Sequence, residues 1–411
     1  MPYETTLHHT LDNGLVLLGE RMPWLRSAAF AFMLPAGCRY EPHDRLGLAG
    51  FVNEMIQRGA GNYSSRDLVA VQDNLGLDRS SSISTAHGSF GGSMPAESLP
   101  EALTLYADIV RHPHLPGDQI EDARLMCLQE LAAAEDDLPQ TLMNRLKQMH
   151  FGDVLGRTSL GDEAGLMAID AADLRRFYQQ HYQPRGAMLS VAGNFDWDVV
   201  RDHVEKLFAD WQPHDPAPDQ PIVGRAGYEH IEHPSQQTHL GIAFPAVRYG
   251  DPEYYPMRAA VGVLSDGMSS RLFTRVREER GLCYTISAGC HSTREGGGVF
   301  CYAGTTAERA QETLDVTLQE LQGIADGIEE GELERLKVRI QSSLIMEQES
   351  SASRASAIVS DWYLLGRVQS RDELQKKIDA LTTADLVDYW KRNPPKDLRI
   401  VTVGPEPLKV P

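Results

Sequence analysis

The chain has 411 residues, 42% of them hydrophobic and 24% charged, and carries a formal net charge of −19. That length fills two ordinary domains, the composition is that of a globular protein, and the acidity argues against a nucleic-acid binder, which needs a basic surface to displace counterions. Five cysteines without a CxxC spacing argue against both a disulfide framework and a thiolate metal site.

The first elements are strands. Asn13-Gly14, between Thr6–Leu11 and Leu15–Leu18, is a two-residue hairpin signal, and the segment Ala28 to Leu34 reads as the next strand. Leu48, Phe51, Val52, Met55 and Ile56 then recur at i, i+3, i+4, i+7 and i+8, which predicts a helix with one apolar face ending near Gly59. Gly50, Asn53, Glu54 and Gln57 fall on its other face. His87 belongs to a strand-like stretch and reads as a satisfied surface histidine, and His112-Pro113-His114 sits in a turn. A long charged helix is expected over 118–135, and a strand over Leu189–Gly193.

Residues 213–237 contain prolines at 213, 216, 218, 221 and 234, so a semi-rigid connector is expected there, with His230 and His233 exposed to solvent. Beyond it the pattern repeats at an offset near 210 residues. Phe32 to Tyr40 is echoed by Ile242 to Tyr249, Leu155-Gly156-Arg157 by Leu365-Gly366-Arg367, and Asp173-Leu174 by Asp385-Leu386. Leu189 to Gly193 recurs as Ile400 to Gly404. Matches in the same order indicate one unit used twice, with strands first, then helices, then a last strand, an α+β arrangement. The expected domains are therefore 1–212 and 238–411. Gly296-Gly297-Gly298 reads as a hairpin turn, and 330–349 as the counterpart of the helix over 118–135.

Particular residues carry a resemblance. They are Gly47-Leu48-Ala49 at the entry of the first helix, Leu128-Gln129-Glu130-Leu131, Gly193-Asn194, and Gly267 to Phe273. Through them nearly the whole chain resembles the pitrilysin/insulinase family of metallopeptidases, in its smaller, mitochondrial-processing-peptidase type. The resemblance implies two homologous α/β-sandwich domains, each an antiparallel-rich sheet with helices, forming half of a clamshell. Members that cut peptides carry H-x-x-E-H, two zinc-binding histidines one turn apart with a glutamate base between them, and a third ligand roughly 75 residues on. Here Gly50, Asn53 and Glu54 stand at the first histidine, the base and the second histidine, and Glu130 stands at the third ligand. Glycine offers no ligand, and asparagine cannot take a proton from a bound water. Glu54 and Glu130 alone would suit a hard cation, weakly. The second half has Ala260-Val261-Gly262-Val263-Leu264 at the matching place and supplies no substitute.

A second family signature is present: Arg277 and Tyr284 match an R-x6-Y pair that, in the family, serves the zinc site of a first domain or of a partner chain. A tyrosine hydroxyl can donate to an oxyanion and a guanidinium can hold a backbone carbonyl. The first half has Gln72 and Arg79 at these positions. The resemblance thus implies a subunit inactive alone and without a cofactor of its own. It would pair with a zinc-bearing homologue as a heterodimer, or with itself, and would act on unfolded peptides. The alternative is a scaffold or core subunit, or a peptide-binding pseudo-peptidase homodimer. No basic-then-apolar leader opens the sequence and no stretch of about 18 apolar residues occurs, so the expected location is cytoplasmic, or periplasmic if a signal peptide was removed.

Overall fold

The computed structural model describes residues 6–215, 221–347 and 349–410. The first part of the chain runs β1 (Leu7–Thr10), β2 (Val16–Arg21), β3 (Ser27–Leu34), α1 (Leu48–Met55), β4 (Gly59–Ala60), β5 (Tyr63–Ser64), α2 (Ser65–Asn74), β6 (Asp78–Ile83), β7 (Gly88–Pro95) and α3 (Leu99–Arg111). It continues through α4 (Ile120–Asp136), α5 (Leu138–Leu155), α6 (Glu163–Ala168), α7 (Ala171–His181), β8 (Met188–Gly193) and α8 (Trp197–Phe208). The second part has β9 (Gly227–Glu232), β10 (Gln237–Ala246), α9 (Tyr254–Ser265), β11 (Cys283–Ser292), β12 (Gly297–Thr306) and α10 (Ala310–Gly323). It ends with α11 (Glu330–Glu347), α12 (Ser351–Leu365), α13 (Arg371–Asp379), α14 (Thr383–Arg392) and β13 (Arg399–Gly404).

These elements form two α+β units, each an antiparallel-rich sheet with helices, as the sequence suggests. One sheet has the order β1-β2-β8-β3-β7-β6, the other β11-β12-β10-β13-β9. The first-half order β2-β8-β3-β7-β6 and the second-half order β9-β13-β10-β12-β11 are the same path. In each, the last strand runs parallel to its outer neighbour and antiparallel to its inner one. The repeat seen in the residues is therefore a repeat of topology.

The compact units differ from the sequence halves. One comprises residues 1–133, 158–219 and 345–370, and the other 134–157, 220–344 and 371–411. Thus α5, from the first repeat, covers the second sheet, and α12, from the second repeat, covers the first. The cause is two-faced burial. All six residues of β8 and all six of β13 are buried, so each sheet needs helices on both faces, which is why these strands read as unbroken apolar runs. In α5, Leu142, Leu146, Met149, Phe151 and Leu155 pack against Ala243, Phe300, Val401 and Val403. In α12, Ile358 and Val359 pack on Leu18 and Met188, and Ala355 on Met22, Ala29 and Ala192.

The stretch expected to be a connector is also partly sheet. Residues 227–232 are β9, paired parallel to β13 from Gly227↔Arg399 to Glu232↔Gly404. Four of the five prolines lie before residue 222 and leave 227–232 free to pair, while residues 216–220 lie outside the described ones. His230 is half-buried, with Nδ1 2.8 Å from Thr402 Oγ1, and His233 is half-buried too, so neither is the freely exposed side chain expected. The hairpin at Asn13-Gly14 and the turn at Gly296 form as expected.

Five buried side chains on α5, at about 1.5–3 kcal/mol each, contribute on the order of 10 kcal/mol, comparable to the whole net stability of a domain. A fragment of residues 1–212 keeps α5 without its sheet and its own sheet without α12. It should be insoluble, or loosely packed and able to bind an apolar dye, and co-expression with residues 213–411 should restore a single sharp unfolding transition. A monomeric 1–212 fragment that melts cooperatively by itself would contradict this account.

Candidate functional site

The position of the metallopeptidase motif is built on α1. Leu48, Phe51, Val52 and Met55 bury one face of the helix in the first core, which turns Gly50, Asn53 and Glu54 toward a pocket of about 290 Å³. The buried carboxylate of Glu41 accepts hydrogen bonds from the backbone N–H of Gly47 at 3.1 Å and of Ala49 at 2.8 Å. It satisfies two donors that a helix start otherwise leaves unpaired, and its charge suits that end of the helix dipole. The pocket also brings in Ser81 and Ser82 of β6, Cys127 and Glu130 of α4, and Ser159.

The pocket brings the four motif positions together, yet its residues do not fit a zinc ion. A Cβ built on Gly50 would lie 2.8 Å from the backbone carbonyl oxygen of Ser159. The segment carrying Ser159 is pressed down at Gly161, whose φ of +69° favours glycine and whose added Cβ would meet the Leu46–Gly47 backbone at 2.3 Å. A histidine at position 50 would thus have to displace main chain at its first side-chain carbon. At the base position, the Asn53 amide donates to Ser81 Oγ at 3.3 Å. At the second ligand position, Glu54 Oε1 accepts from Arg58 Nη2 at 2.9 Å and Nε at 3.1 Å, so its charge is already partnered. Glu130 is exposed on α4. Burial first, and then the carboxylates of Glu130 and Glu54, push the Cys127 thiol up to about 11, so it stays protonated at neutral pH. Among the described residues, no group of three or more His, Cys, Asp or Glu side chains is placed to hold a metal ion.

His87 differs from the surface reading. It lies between β6 and β7, is 5% exposed, and meets the Tyr363 ring edge-on at a centroid distance of 4.2 Å. The turn in which it sits folds back on itself through Ser84, whose Oγ donates to the His87 carbonyl, so the ring is carried into the core.

Arg277 and Tyr284 stand on two backbone irregularities in the other unit. Residues Leu272–Glu278 form a π-helical stretch, a rare geometry that recurs at functional sites. Its start is anchored where Arg271 forks onto Glu332, with Nε to Oε1 and Nη2 to Oε2 both at 2.7 Å. The wide turn sets the Arg277 guanidinium over the Phe273 ring, 4.7 Å from its centroid, a cation–π contact. The Arg277 side chain remains 40% exposed, with Glu278 3.9 Å away.

Tyr284 is the extra residue of a β-bulge, because Cys283 pairs with Thr305 and Thr285 with Gly304. Cys283 and Ile286, three residues apart, consequently both face the core, while Tyr284 and Thr285 are turned to the other face. Bulges re-aim side chains in this way. Tyr284 is 48% exposed, and its hydroxyl donates to Gln237 Oε1 at 3.2 Å. The pair therefore presents a cation and a phenol, each partly exposed, with the hydroxyl held against Gln237. Sequence reasoning singled out both as candidates, and did not single out Glu41, Ser159, Phe273, Gln237 and Gly304. Only Gly304 carried a readable signal, since a glycine inside a strand marks a close approach.

Comparison with known proteins gives the family. Residues 17–163 match the model of the insulinase family of peptidases (family M16), and residues 168–339 match that of the M16 peptidase inactive domain. An uncharacterised zinc protease of Rickettsia bellii is 26% identical over 401 residues, covering 97% of each chain. One of Bacillus subtilis is 27% identical over 379 residues, covering 91% of this chain and 92% of that protein. Among solved structures, a peptidase M16 inactive domain from Pseudomonas fluorescens superposes with a TM-score of 0.91 at 19% identity, over 99% of this chain and all of that one. A protease from Helicobacter pylori gives 0.87 at 18% identity, over 98% of this chain and all of that one. With both halves matched in order and the degenerate motif at the head of the first, this chain belongs to the M16 family of insulinase-like peptidases.

Proposed function

We propose that this chain is a non-catalytic subunit that pairs with an H-x-x-E-H-bearing homologue, in the manner of the mitochondrial-processing-peptidase type. It would contribute Arg277 and Tyr284 to that homologue's cleavage of unfolded peptides. The observation that carries this reading is the contrast between the two sites. The metal position is closed by main chain and by an ion pair. The Arg–Tyr pair stands on a π-helical turn and a bulge, with both side chains partly exposed. A pure scaffold has no use for such positioning, since irregular backbone persists only where the surrounding structure holds it.

In this role the Tyr284 hydroxyl exchanges the Gln237 oxygen for the oxyanion of a tetrahedral intermediate, and the Arg277 fork holds a backbone carbonyl of the peptide. The partner would carry the only metal. None of the five cysteines forms a disulfide, which favours a reducing, cytoplasmic setting. No helix among the described residues is long and apolar enough to cross a membrane.

The first test is purification of the tagged chain from its native lysate. A stoichiometric partner bearing H-x-x-E-H is expected, whereas recovery only as a homodimer or within a membrane complex would refute pairing with a peptidase. In the recovered complex, Tyr284→Phe should lower the turnover of an internally quenched peptide at least about tenfold, a floor for losing one oxyanion donor. A rate within about twofold of the unchanged complex would remove Tyr284 from the mechanism.

The closed metal position gives a separate expectation. The chain alone should retain below about 0.1 zinc after dialysis, since a catalytic site needs three ligands. Even the triple substitution Gly50→His, Asn53→Glu and Glu54→His should stay far below one zinc by elemental analysis, because the Ser159 carbonyl blocks the first imidazole. It should also lose about 1–3 kcal/mol of stability to overpacking in denaturant titration. Stoichiometric zinc in the triple variant would show that the segment yields.

A further inference from the structure

Gly304 lies in the interior of β12, and its φ is not among the positive values of the chain. The backbone there does not require glycine. What excludes a side chain is Tyr284: a Cβ on Gly304 would lie 2.4 Å from both Cζ and the hydroxyl oxygen of that ring, and 3.0 Å from Cε1. The hydroxyl end of the ring rests in the gap left by the missing side chain. Across the ladder, Gly304 pairs with His239 of β10. Two residues before it, Tyr302 turns to the same face, and its hydroxyl is 2.8 Å from His239 Nδ1.

His239 is 4% exposed, and burial holds it below its ordinary value, so the imidazole is neutral. Burial and then hydrogen bonding with Tyr284 push the Tyr302 phenol up, so it also stays neutral. Gln237, two residues before His239, accepts a hydrogen bond from the Tyr284 hydroxyl. The phenol of Tyr284 is thus bounded by a missing side chain beneath and by groups of β10 and β12 at its hydroxyl end.

We propose that Gly304 and the Tyr302–His239 pair are positioning residues that seat the Tyr284 phenol on the sheet and fix where its hydroxyl points. This rests on the reading of Tyr284 as a donor to the substrate, and it adds which residues set that donor. Alanine at 304 leaves strand, bulge and core faces unchanged in chemistry and only denies the ring its seat. Phenylalanine at 302 removes one hydroxyl without changing volume.

The test has two readouts. In the full chain alone, tyrosine labelled with ¹³C at Cζ gives a Tyr284 resonance assignable by its loss in Tyr284→Phe. Gly304→Ala should shift it, and Tyr302→Phe should shift it in a protein whose other tyrosine signals stay in place. In the complex with the metal-bearing subunit, Gly304→Ala should lower kcat about as much as Tyr284→Phe, with KM within about twofold. The double variant should be no slower than Tyr284→Phe, because residues acting as one unit are not additive.

An unmoved resonance in both variants overturns the proposal whatever the rates do. Additive losses in the double variant overturn it too, since Gly304 would then act apart from Tyr284. A shifted resonance with unaffected rates in every variant supports the seat and refutes the catalytic reading of Tyr284. If Gly304→Ala fails to fold, Tyr302→Phe decides by the same two readouts.

Discussion

The fold depends on the burial of β8 and β13 on both faces. A sheet whose last strand is apolar throughout cannot stand with one side open to water, and the helices that directly follow each set of strands cover only one side. The second cover comes from the opposite repeat: α5 lies on the sheet that includes β10 and β13, and α12 on the one that includes β3 and β8. Polar ties reinforce the second case, where Ser190 Oγ donates to the Ala355 carbonyl at 2.6 Å and Arg354 Nε to Glu20 Oε1 at 2.8 Å. Each repeat completes the other, so the duplication is structural as well as historical. The two candidate sites thus stand on sheets of equivalent topology.

The two candidate sites differ physically. The pocket of about 290 Å³ at the motif position persists, but more than ligand atoms differs there. Here the space of the first ligand has been taken by the Ser159 carbonyl, and the second position has an arginine partner one turn along the helix. Such an i,i+4 pair contributes only tenths of a kcal/mol in isolation. Its importance is that a carboxylate already partnered is a poorer ligand. Nothing comparable has closed over Arg277 or Tyr284.

Much of this was legible in the residues. The apolar spacing of Leu48 to Ile56 gave α1 and its functional face, and the echo of Leu189–Gly193 in Ile400–Gly404 located the two strands that prove most buried. The exchange of α5 and α12 was not legible, because a helix shows its apolar stripe without showing which sheet receives it. β9 was hidden by the prolines around it: Tyr228, His230 and Glu232 do not read as a strand until β13 offers its edge. His87 was misplaced outward because a lone polar residue in a turn gives no sign that the turn folds inward onto Tyr363. The Ser159 obstruction is main chain, and no side-chain pattern encodes it.

The bulge at Tyr284 and the π-helical turn at Arg277 bear on how this pair could change over time. Each irregularity accommodates one residue more than regular helix or strand geometry would hold in the same length. The separation between the arginine and the tyrosine is therefore a matter of chain count as well as residue type. Substitutions at the intervening Glu279 or Arg280, exposed at the surface, leave the spacing untouched. A single-residue deletion between 278 and 283 would keep both side chains in the sequence and still pull them out of step. Lineages that retain the pair should accordingly vary freely at 279 and 280, keep Gly281 with its φ of +59° and the buried Leu282, and scarcely vary in length.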